Sequence, residues 1–225
     1  MRLKAAIFDL DGTLLDSMYY WRHMFELFLE SYGKKPKPDL KDKLKPLSLQ
    51  ESADVFRLEY GVPGSTDEVA EGINKVLEER YFHTIEAKPH VREFLELLQK
   101  NGVKICAATA TDRYLVEAAL KRTGLYDYFS QIYTCTEVGR GKEFPDIYLK
   151  AMEFMGERQE DTVVFEDAYY AIKTAKAAGF YVVAMEDETA KEDEAGIMQA
   201  ADEYHRDFSS VEIEVEGGCA HWSIE

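Results

Sequence analysis

The chain has 225 residues, which suits one medium domain, or a core with a smaller insertion, and allows a sizeable hydrophobic core. Its formal net charge of −16 at pH 7 argues against nucleic acid or an anionic membrane as the main partner. The sequence has no apolar run of the roughly 18 to 20 residues that span a membrane, and no signal-peptide pattern. Three cysteines without metal-site spacing fit a reducing compartment, so we expect a cytoplasmic protein. From the charge and the absence of an apolar run, we expect no nucleic-acid or membrane partner.

The first strand is predicted at Ala5–Phe8, a short apolar run that ends in acids and a glycine. Ser17 is a candidate N-cap for a helix that reaches about Tyr32. Residues 34–46 are rich in lysine and proline and are predicted to form a loop. Helical apolar spacing returns in two segments, Leu49–Tyr60 and Asp67–Tyr81. Because no segment from the first helix to about Ile85 has a strand pattern, we interpret this block as an all-helical insertion.

From residue 89 onward, strand and helix patterns alternate. The predicted strands are Val103–Ala108, Gln131–Thr134, Thr162–Phe165 and Tyr181–Met185. The predicted helices are Pro89–Asn101, Arg113–Thr123, Asp146–Met155 and Ala168–Ala178. The alternation predicts an α/β fold, a Rossmann-like parallel sheet with helices on both faces. Residues 1–16 and 87–225 would form this core and residues 17–86 the inserted helical domain, whereas residues 212–225 carry no fold signal.

Two acids follow the first strand with one residue between them. Residues i and i+2 of an extended segment share a side, so Asp9 and Asp11 would present two carboxylates at the carboxyl end of the strand, where open α/β sheets bind ligands. Like charges that close repel each other, and a divalent cation relieves that repulsion. Gly12 lets backbone amides approach a ligand, and Thr13 offers a hydroxyl and an amide to an anion.

The ends of later strands carry polar groups that suit a phosphate site. Thr109 ends the second predicted strand, and Asp112 is a candidate N-cap of the next helix, so a hydroxyl and free amides, including that of Ala110, could meet a phosphoryl oxygen. Lys142 lies in a glycine-rich loop, where its compact charge could offset carboxylates and phosphate. The simpler alternatives are that Thr109 and Thr111 are only turn and cap residues and that Lys142 is a solvated surface lysine.

Glu166 and Asp167 directly follow the apolar run of the fourth strand. Acids are poor core residues but good ligands for a hard cation, and Mg²⁺ prefers one or two carboxylates together with waters and substrate oxygens. The alternative is that Asp167 only caps the following helix.

The order of these motifs, Asp-x-Asp-Gly-Thr, then Thr, Lys and Glu-Asp, resembles the four motifs of the haloacid dehalogenase (HAD) superfamily of phosphohydrolases. Residues 120–125, 141–148 and 166–179 are most similar to the branch that contains phosphoglycolate phosphatases and β-phosphoglucomutases. The core resemblance covers residues 4–17 and 89–185. The helical block matches the family's cap domain in position and helical character only.

The resemblance implies a role for each motif. Asp9 would be the nucleophile that forms an aspartyl-phosphate, and Asp11 would be the general acid and then the general base. Lys142, Thr109 and the Ala110 amide would bind the phosphoryl group.

The resemblance also implies Mg²⁺ as the cofactor. Its ligands would be Asp9, the backbone carbonyl of Asp11 and Asp167, with Glu166 as a candidate further ligand. The implied protein is a Mg²⁺-dependent phosphatase of a small phosphorylated metabolite, and we expect a monomer.

An aromatic stripe follows the Asp-x-Asp loop. Tyr20, Trp21 and His23 are candidates to face the substrate, although such a stripe is more commonly the core of a helical domain. The mutases of this branch carry a histidine where Trp21 stands and an arginine near Leu49. Their absence here favours a phosphatase over a phosphosugar mutase.

Proteins of other classes share parts of this pattern. A response-regulator receiver also combines strand-end acids, a threonine and a lysine, but it has no helical insertion and needs only about half this length. A dehalogenase or phosphonatase would be expected to lack the carboxylate of Asp11. A non-catalytic phosphate-binding or regulatory protein on the HAD scaffold stays an alternative, and the intact acids argue against it.

Overall fold

The protein divides into two compact units. The computed structural model describes residues 2–44, 49–216 and 219–222. The larger unit comprises Met1–Met18 and Ile85–Glu225, and the smaller unit comprises Tyr19–Thr84. Across the part of the chain that is described, no helix combines the length and the apolar character that a bilayer span requires.

The smaller unit is built of helices. They are α1 (Met18–Ser31), α2 (Leu40–Leu44), α3 (Leu49–Tyr60) and α4 (Thr66–His83). A capping box begins α4: the Glu68 amide donates to Ser65 Oγ (3.2 Å), and the Ser65 amide donates to the Glu68 carboxylate (2.7 Å). Apolar side chains of these helices, among them Phe28, Phe56 and Ile73, bury one another in a core of their own.

The predicted loop at 34–46 is wrong in part, because α2 lies within it. Leu40 and Leu44 are four residues apart and both are buried in the helical core, so one short helical turn buries two leucines on the same face. Lys45 and Pro46 lie outside the described residues.

Six parallel strands form the sheet of the larger unit. They are β1 (Ala5–Phe8), β2 (Lys104–Thr109), β3 (Gln131–Thr134), β4 (Thr162–Glu166), β5 (Tyr181–Met185) and β6 (Glu203–His205). Their order is β3-β2-β1-β4-β5-β6. Ala5 pairs with Lys104 of β2 and with Thr162 of β4, so the loops that follow β1, β2 and β4 emerge side by side. The predicted Rossmann-like parallel sheet is confirmed.

Helices cover both faces of this sheet. They are α5 (Val91–Lys100), α6 (Arg113–Thr123), α7 (Cys135–Val138), α8 (Asp146–Met155), α9 (Tyr169–Ala177) and α10 (Glu194–Ala200). Ile7 of β1 lies in the core that α8, α9 and α10 cover. Its neighbour Phe8 points to the opposite face, where it stacks on Phe165 (ring centroids 4.4 Å apart) and meets Phe94 of α5.

The C-terminal segment, in which no fold signal was found, contains an antiparallel hairpin. Its strands are β7 (Glu214–Glu216) and β8 (Cys219–His221). The Leu3 amide donates to the Ala220 carbonyl (3.0 Å), and the buried Trp222 packs on Phe165 and Tyr181. Three-residue strands are too short to show periodicity, so the hairpin could not be predicted from its own residues. Residues 217, 218 and 223–225 of this segment lie outside the description.

Candidate active site

The loop after β1 places Asp9 at the carboxyl edge of the sheet. The Asp9 amide continues the β-ladder by donating to the Phe165 carbonyl (2.9 Å), and its carboxylate is buried. Gly12 turns the chain with φ +90°, and a Cβ there would collide with the Asp167 carboxylate and the Met18 side chain. Glycine is therefore required at this turn both for its backbone angle and for the close approach of Asp167.

Lys142 joins the ends of β1 and β4. Its buried ammonium donates to Asp9 Oδ1 and to Glu166 Oε1, the latter at 2.5 Å. Tyr148 of α8 donates its hydroxyl to the same Glu166 Oε1 (2.7 Å). Glu166 Oε2 is buried and has no hydrogen-bond partner among the residues that the structure describes.

Three buried carboxylates meet beside this lysine. Asp9, Glu166 and Asp167 each offer one oxygen, and these oxygens lie within 4.8 Å of one another. Burial raises the pKa of Asp9 to about 7, against the opposing effect of Lys142. Burial, and then the charges of Asp9 and Glu166, also hold the pKa of Asp167 well above its usual range.

This arrangement suits a divalent cation. Burial alone would lower the pKa of Lys142, but the charges of Asp9 and Glu166 outweigh it, so the ammonium stays protonated and still balances only one of three carboxylates. The raised pKa values of Asp9 and Asp167, and the Glu166 oxygen without a partner among the described residues, identify carboxylates whose charged forms a hard, oxygen-seeking ion would stabilise. The residues present therefore fit Mg²⁺, the ion that the sequence predicts.

Asp11 is half-buried and held by three hydroxyls. Ser17 donates to its Oδ1 (2.6 Å), Thr111 donates to its Oδ2 (2.7 Å), and Thr109 makes a weaker contact with Oδ2 at 3.5 Å. The Thr111 amide in turn donates to Thr109 Oγ1 (3.0 Å), and Ala110 is exposed between the two threonines. These contacts fix the orientation of a carboxylate that stays accessible at the same sheet edge as Asp9.

The structure thus brings the predicted acids, threonine and lysine together at one edge. These residues are Asp9, Asp11, Thr109, Lys142, Glu166 and Asp167. Two details differ from prediction. Asp112 holds the N-cap position of α6, but its carboxylate accepts from Thr136 Oγ1 (2.9 Å) and not from the helix amides. The Thr13 hydroxyl, predicted to serve an anion, donates to Asp167 Oδ1 (3.2 Å).

Sequence reasoning missed the hydrogen-bond donors around these acids. The sequence predicts Ser17 only as a helix cap, offers Thr111 only the alternative role of a turn or cap residue, and assigns no role to Tyr148. The hydroxyls of Ser17 and Thr111 lie in strand-end loops, a position that could have identified them. Tyr148 carries no such signal, because it reaches Glu166 only through the packing of α8 on the sheet.

The aromatic stripe lies on α1 of the smaller unit. The Arg80 guanidinium carbon lies 5.4 Å from the centre of the Tyr20 ring, and Trp21 Nε1 donates to the Tyr81 hydroxyl (2.7 Å). His23 Nδ1 lies 2.8 Å from the carbonyl oxygen of the residue one turn earlier. Contact of Tyr20, Trp21 and His23 with a substrate stays a prediction.

A parallel sheet with a buried acidic and lysine cluster at its carboxyl edge is the architecture of an α/β enzyme. Residues 6–185 match the model of the haloacid dehalogenase-like hydrolases, and the chain belongs to that family. The predicted family and hydrolase class are confirmed.

Named relatives are similar over most of the chain. A phosphorylated carbohydrates phosphatase of Thermotoga maritima is 28% identical over 177 residues, which cover 79% of this chain and 82% of that protein. Protein CbbY of Rhodobacter capsulatus is 30% identical over 194 residues, which cover 81% of this chain and 85% of that protein. A crystal structure of a candidate β-phosphoglucomutase from Thermotoga maritima superposes with a TM-score of 0.78 at 26% identity and covers 90% of this chain and 94% of that one.

Proposed function

We propose that the protein is a Mg²⁺-dependent phosphatase that hydrolyses a small phosphate monoester through an aspartyl-phosphate. The observation that carries the proposal is the buried Asp9 carboxylate, which shares a pocket with Lys142 and two further acids. A cluster of three carboxylates and one ammonium can bind a cation and hold a phosphoryl group next to the carboxylate that attacks it. Relatives that are named as phosphatases support the same reaction class.

In the first step, a carboxylate oxygen of Asp9 attacks the phosphorus atom of the substrate. A new P–O bond forms to Asp9 while the bond from phosphorus to the ester oxygen breaks. Asp11 donates its proton to the departing oxygen, so the leaving group departs as a neutral alcohol. Lys142 holds its positive charge beside Asp9, where charge on the phosphoryl oxygens can be stabilised.

In the second step, the same residues release phosphate. Asp11, now a carboxylate, takes a proton from a water molecule, and the water oxygen attacks the phosphorus of the aspartyl-phosphate. The bond between phosphorus and Asp9 breaks, which yields inorganic phosphate and the free Asp9 carboxylate. The hydroxyls of Ser17 and Thr111 keep Asp11 oriented, because each donates to one of its oxygens.

The cation ligands would be Asp9, the backbone carbonyl of Asp11 and Asp167, with Glu166 as a further ligand. When bound, Mg²⁺ supplies positive charge to the phosphoryl oxygens and offsets the crowding of carboxylates. The three carboxylates in this set are buried. Water therefore screens their charge only weakly, which strengthens their attraction for the ion.

The helical block, residues 17–86, would act as a cap that selects the substrate. Phosphosugar mutases carry a histidine where Trp21 stands and an arginine near Leu49, and the absence of both here supports a phosphatase over a mutase. We propose a small phosphorylated metabolite as the substrate, with sugar phosphates as first candidates because of the phosphatase of carbohydrates to which the chain is similar. The cytoplasmic location and the monomeric state stay predictions.

The test is inorganic phosphate release from sugar phosphates, phosphoglycolate, nucleoside monophosphates and an aryl phosphate. We expect release by the wild type with Mg²⁺, loss with chelator, and a loss of at least about 10³-fold in Asp9→Asn. Asp16→Asn is the matched control, because Asp16 is an exposed acid of the same loop. Release that survives both chelator and Asp9→Asn would contradict the proposal, and intact Mg²⁺ binding without any release would favour the non-catalytic alternative.

A further inference from the structure

We infer that Tyr148 is a positioning residue for the cation site, and that its hydroxyl holds Glu166 so that one carboxylate oxygen stays available to the ion. The inference rests on the proposed function, since it assumes that Glu166 helps to bind a divalent cation. It assigns a role to a side chain that lies outside the acids, threonine and lysine of the predicted motifs.

The two oxygens of Glu166 have different surroundings. Oε1 accepts two hydrogen bonds, from Tyr148 (2.7 Å) and from Lys142 (2.5 Å). Oε2 is buried, and no described residue donates to it. A buried carboxylate oxygen without a partner is costly, so the asymmetry needs a compensating group at Oε2.

The Tyr148 hydroxyl is the donor that makes this asymmetry specific. Lys142 divides its ammonium between Glu166 and Asp9, so alone it fixes the Glu166 carboxylate weakly. The phenol approaches from α8, donates to Glu166 alone of the three buried acids, and anchors Oε1 in one orientation. A hydrogen bond to a metal-binding carboxylate orients that ligand and raises the affinity for the metal.

The ring of Tyr148 is held independently of its hydroxyl. It is fully buried among the residues between α8, α9 and the sheet, and it meets Phe180 edge-on with ring centroids 6.3 Å apart. Lys142 Nζ lies 5.9 Å from the centre of the ring. Tyr148→Phe would therefore remove one hydrogen bond and leave the packing in place.

The chain offers a matched control in Tyr181. Its hydroxyl donates to Glu203 Oε1 at 2.6 Å, so Tyr181→Phe also removes a tyrosine-to-glutamate hydrogen bond from the larger unit. Glu203 is not among the acids that could share a cation in the described part of the chain. A general loss of stability would affect both variants, whereas a positioning role would affect only Tyr148→Phe.

The experiment is a Mn²⁺ titration of the full-length protein, followed by electron paramagnetic resonance, with Mn²⁺ as the probe for the site. We expect a dissociation constant about 10- to 100-fold higher for Tyr148→Phe, and a wild-type value for Tyr181→Phe. In a Glu166→Gln background, Tyr148→Phe should add little further loss, because both changes act on the same ligand. Phosphate release at saturating Mn²⁺ should recover to within a few-fold of wild type in Tyr148→Phe.

Two outcomes would overturn the inference alone, and they are distinguishable from failure of the proposed function. Wild-type Mn²⁺ affinity in folded Tyr148→Phe would remove the positioning role while leaving the phosphatase intact. Wild-type affinity in Glu166→Gln would show that Glu166 is no ligand, and this arm holds even where Tyr148→Phe does not fold. A wild-type protein that binds no Mn²⁺ would overturn the proposed cation site and this role with it.

Discussion

Two glutamates of the same sheet have opposite surroundings. Glu203, on the edge strand β6, is half-buried, and its two oxygens have three partners: Tyr181 (2.6 Å) and Trp222 (2.5 Å) on Oε1, and His205 Nε2 (2.7 Å) on Oε2. Glu166, at the end of β4, is fully buried and shares its surroundings with two aspartates, and its Oε2 has no hydrogen-bond partner in the part of the chain that the structure describes. Both oxygens of Glu203 thus have hydrogen-bond partners within the fold. For Glu166, a bound ligand would have to supply the partner of Oε2.

The comparison separates stability from function within one sheet. Donors around Glu203 tie the C-terminal segment to β5 and β6 through Trp222, and the satisfied carboxylate stabilises the fold. Acids around Glu166 repel one another in a buried pocket, which costs stability, and the proposed cation would relieve that cost. Proteins commonly keep such unfavourable groups only where activity requires them.

The largest expected effect comes from Lys142→Met. The change leaves the buried carboxylates of Asp9 and Glu166 without their ammonium partner, so we expect the free energy of unfolding to fall by about 3–5 kcal/mol. Urea denaturation without divalent cation measures this loss. Lys176→Met is the control, because Lys176 pairs with Asp202 at the surface and should matter by less than about 1 kcal/mol. Equal losses in the two variants would contradict the comparison.

The next effect is stabilisation by the cation itself. Mg²⁺ at about 100 times its dissociation constant should raise the free energy of unfolding by about 2.7 kcal/mol, because it binds only the folded site. Asp167→Asn should lose most of this gain and should be no less stable than wild type without Mg²⁺, since it removes a buried carboxyl group whose charged form the site disfavours. Thermal unfolding with and without Mg²⁺ tests both statements. Asp112→Asn, an exposed acid, should keep the full shift.

The smallest expected effect, and the one that depends on pH, belongs to Glu203→Gln. Although burial raises its pKa, hydrogen bonds from Tyr181, His205 and Trp222 outweigh burial and hold the Glu203 pKa below its usual range. At pH 7 we expect the variant to lose about 1–3 kcal/mol of stability. Because the folded-state pKa is lowered, this contribution is present above the unfolded value of about 4.3 and is lost as pH falls through the folded value.

Urea denaturation of wild type and Glu203→Gln at pH 7 and near pH 3.5 tests the sign of that effect. The gap between the two proteins should narrow at the lower pH, because Glu203 takes up a proton in the unfolded chain there and folding must release that proton. A gap that widens with acid would mean that Glu203 is not held as a charged acceptor.

Much of the fold follows from local pattern. The limits of α3, α6 and α8 agree with their predicted limits, because glycine or proline bounds each segment and apolar spacing fills it. The acids of the site were also predictable, since Asp9 and Asp167 follow apolar runs that end at one edge of a parallel sheet.

The remainder depends on contacts that no local pattern carries. The edge strand β6 and the hairpin are short, and their positions depend on Trp222 packing against Phe165 and Tyr181 far away in the chain. Tyr148 reaches Glu166 through helix-to-sheet packing, and Ser17 reaches Asp11 through the turn at Gly12. Charge, size and periodicity give no sign of these pairings before the chain is folded.

The position of β1 between β2 and β4 has a consequence for how the chain comes together during synthesis. Its partners Lys104 and Thr162 are about 100 and 160 residues further along. At roughly 5–20 residues per second, the strand that carries Asp9 would wait on the order of 10–30 s at the ribosome for its second neighbour. The helices of Tyr19–Thr84 are contiguous in sequence and can pack meanwhile, whereas the apolar strand on which the site is built is synthesised well before both of its neighbours.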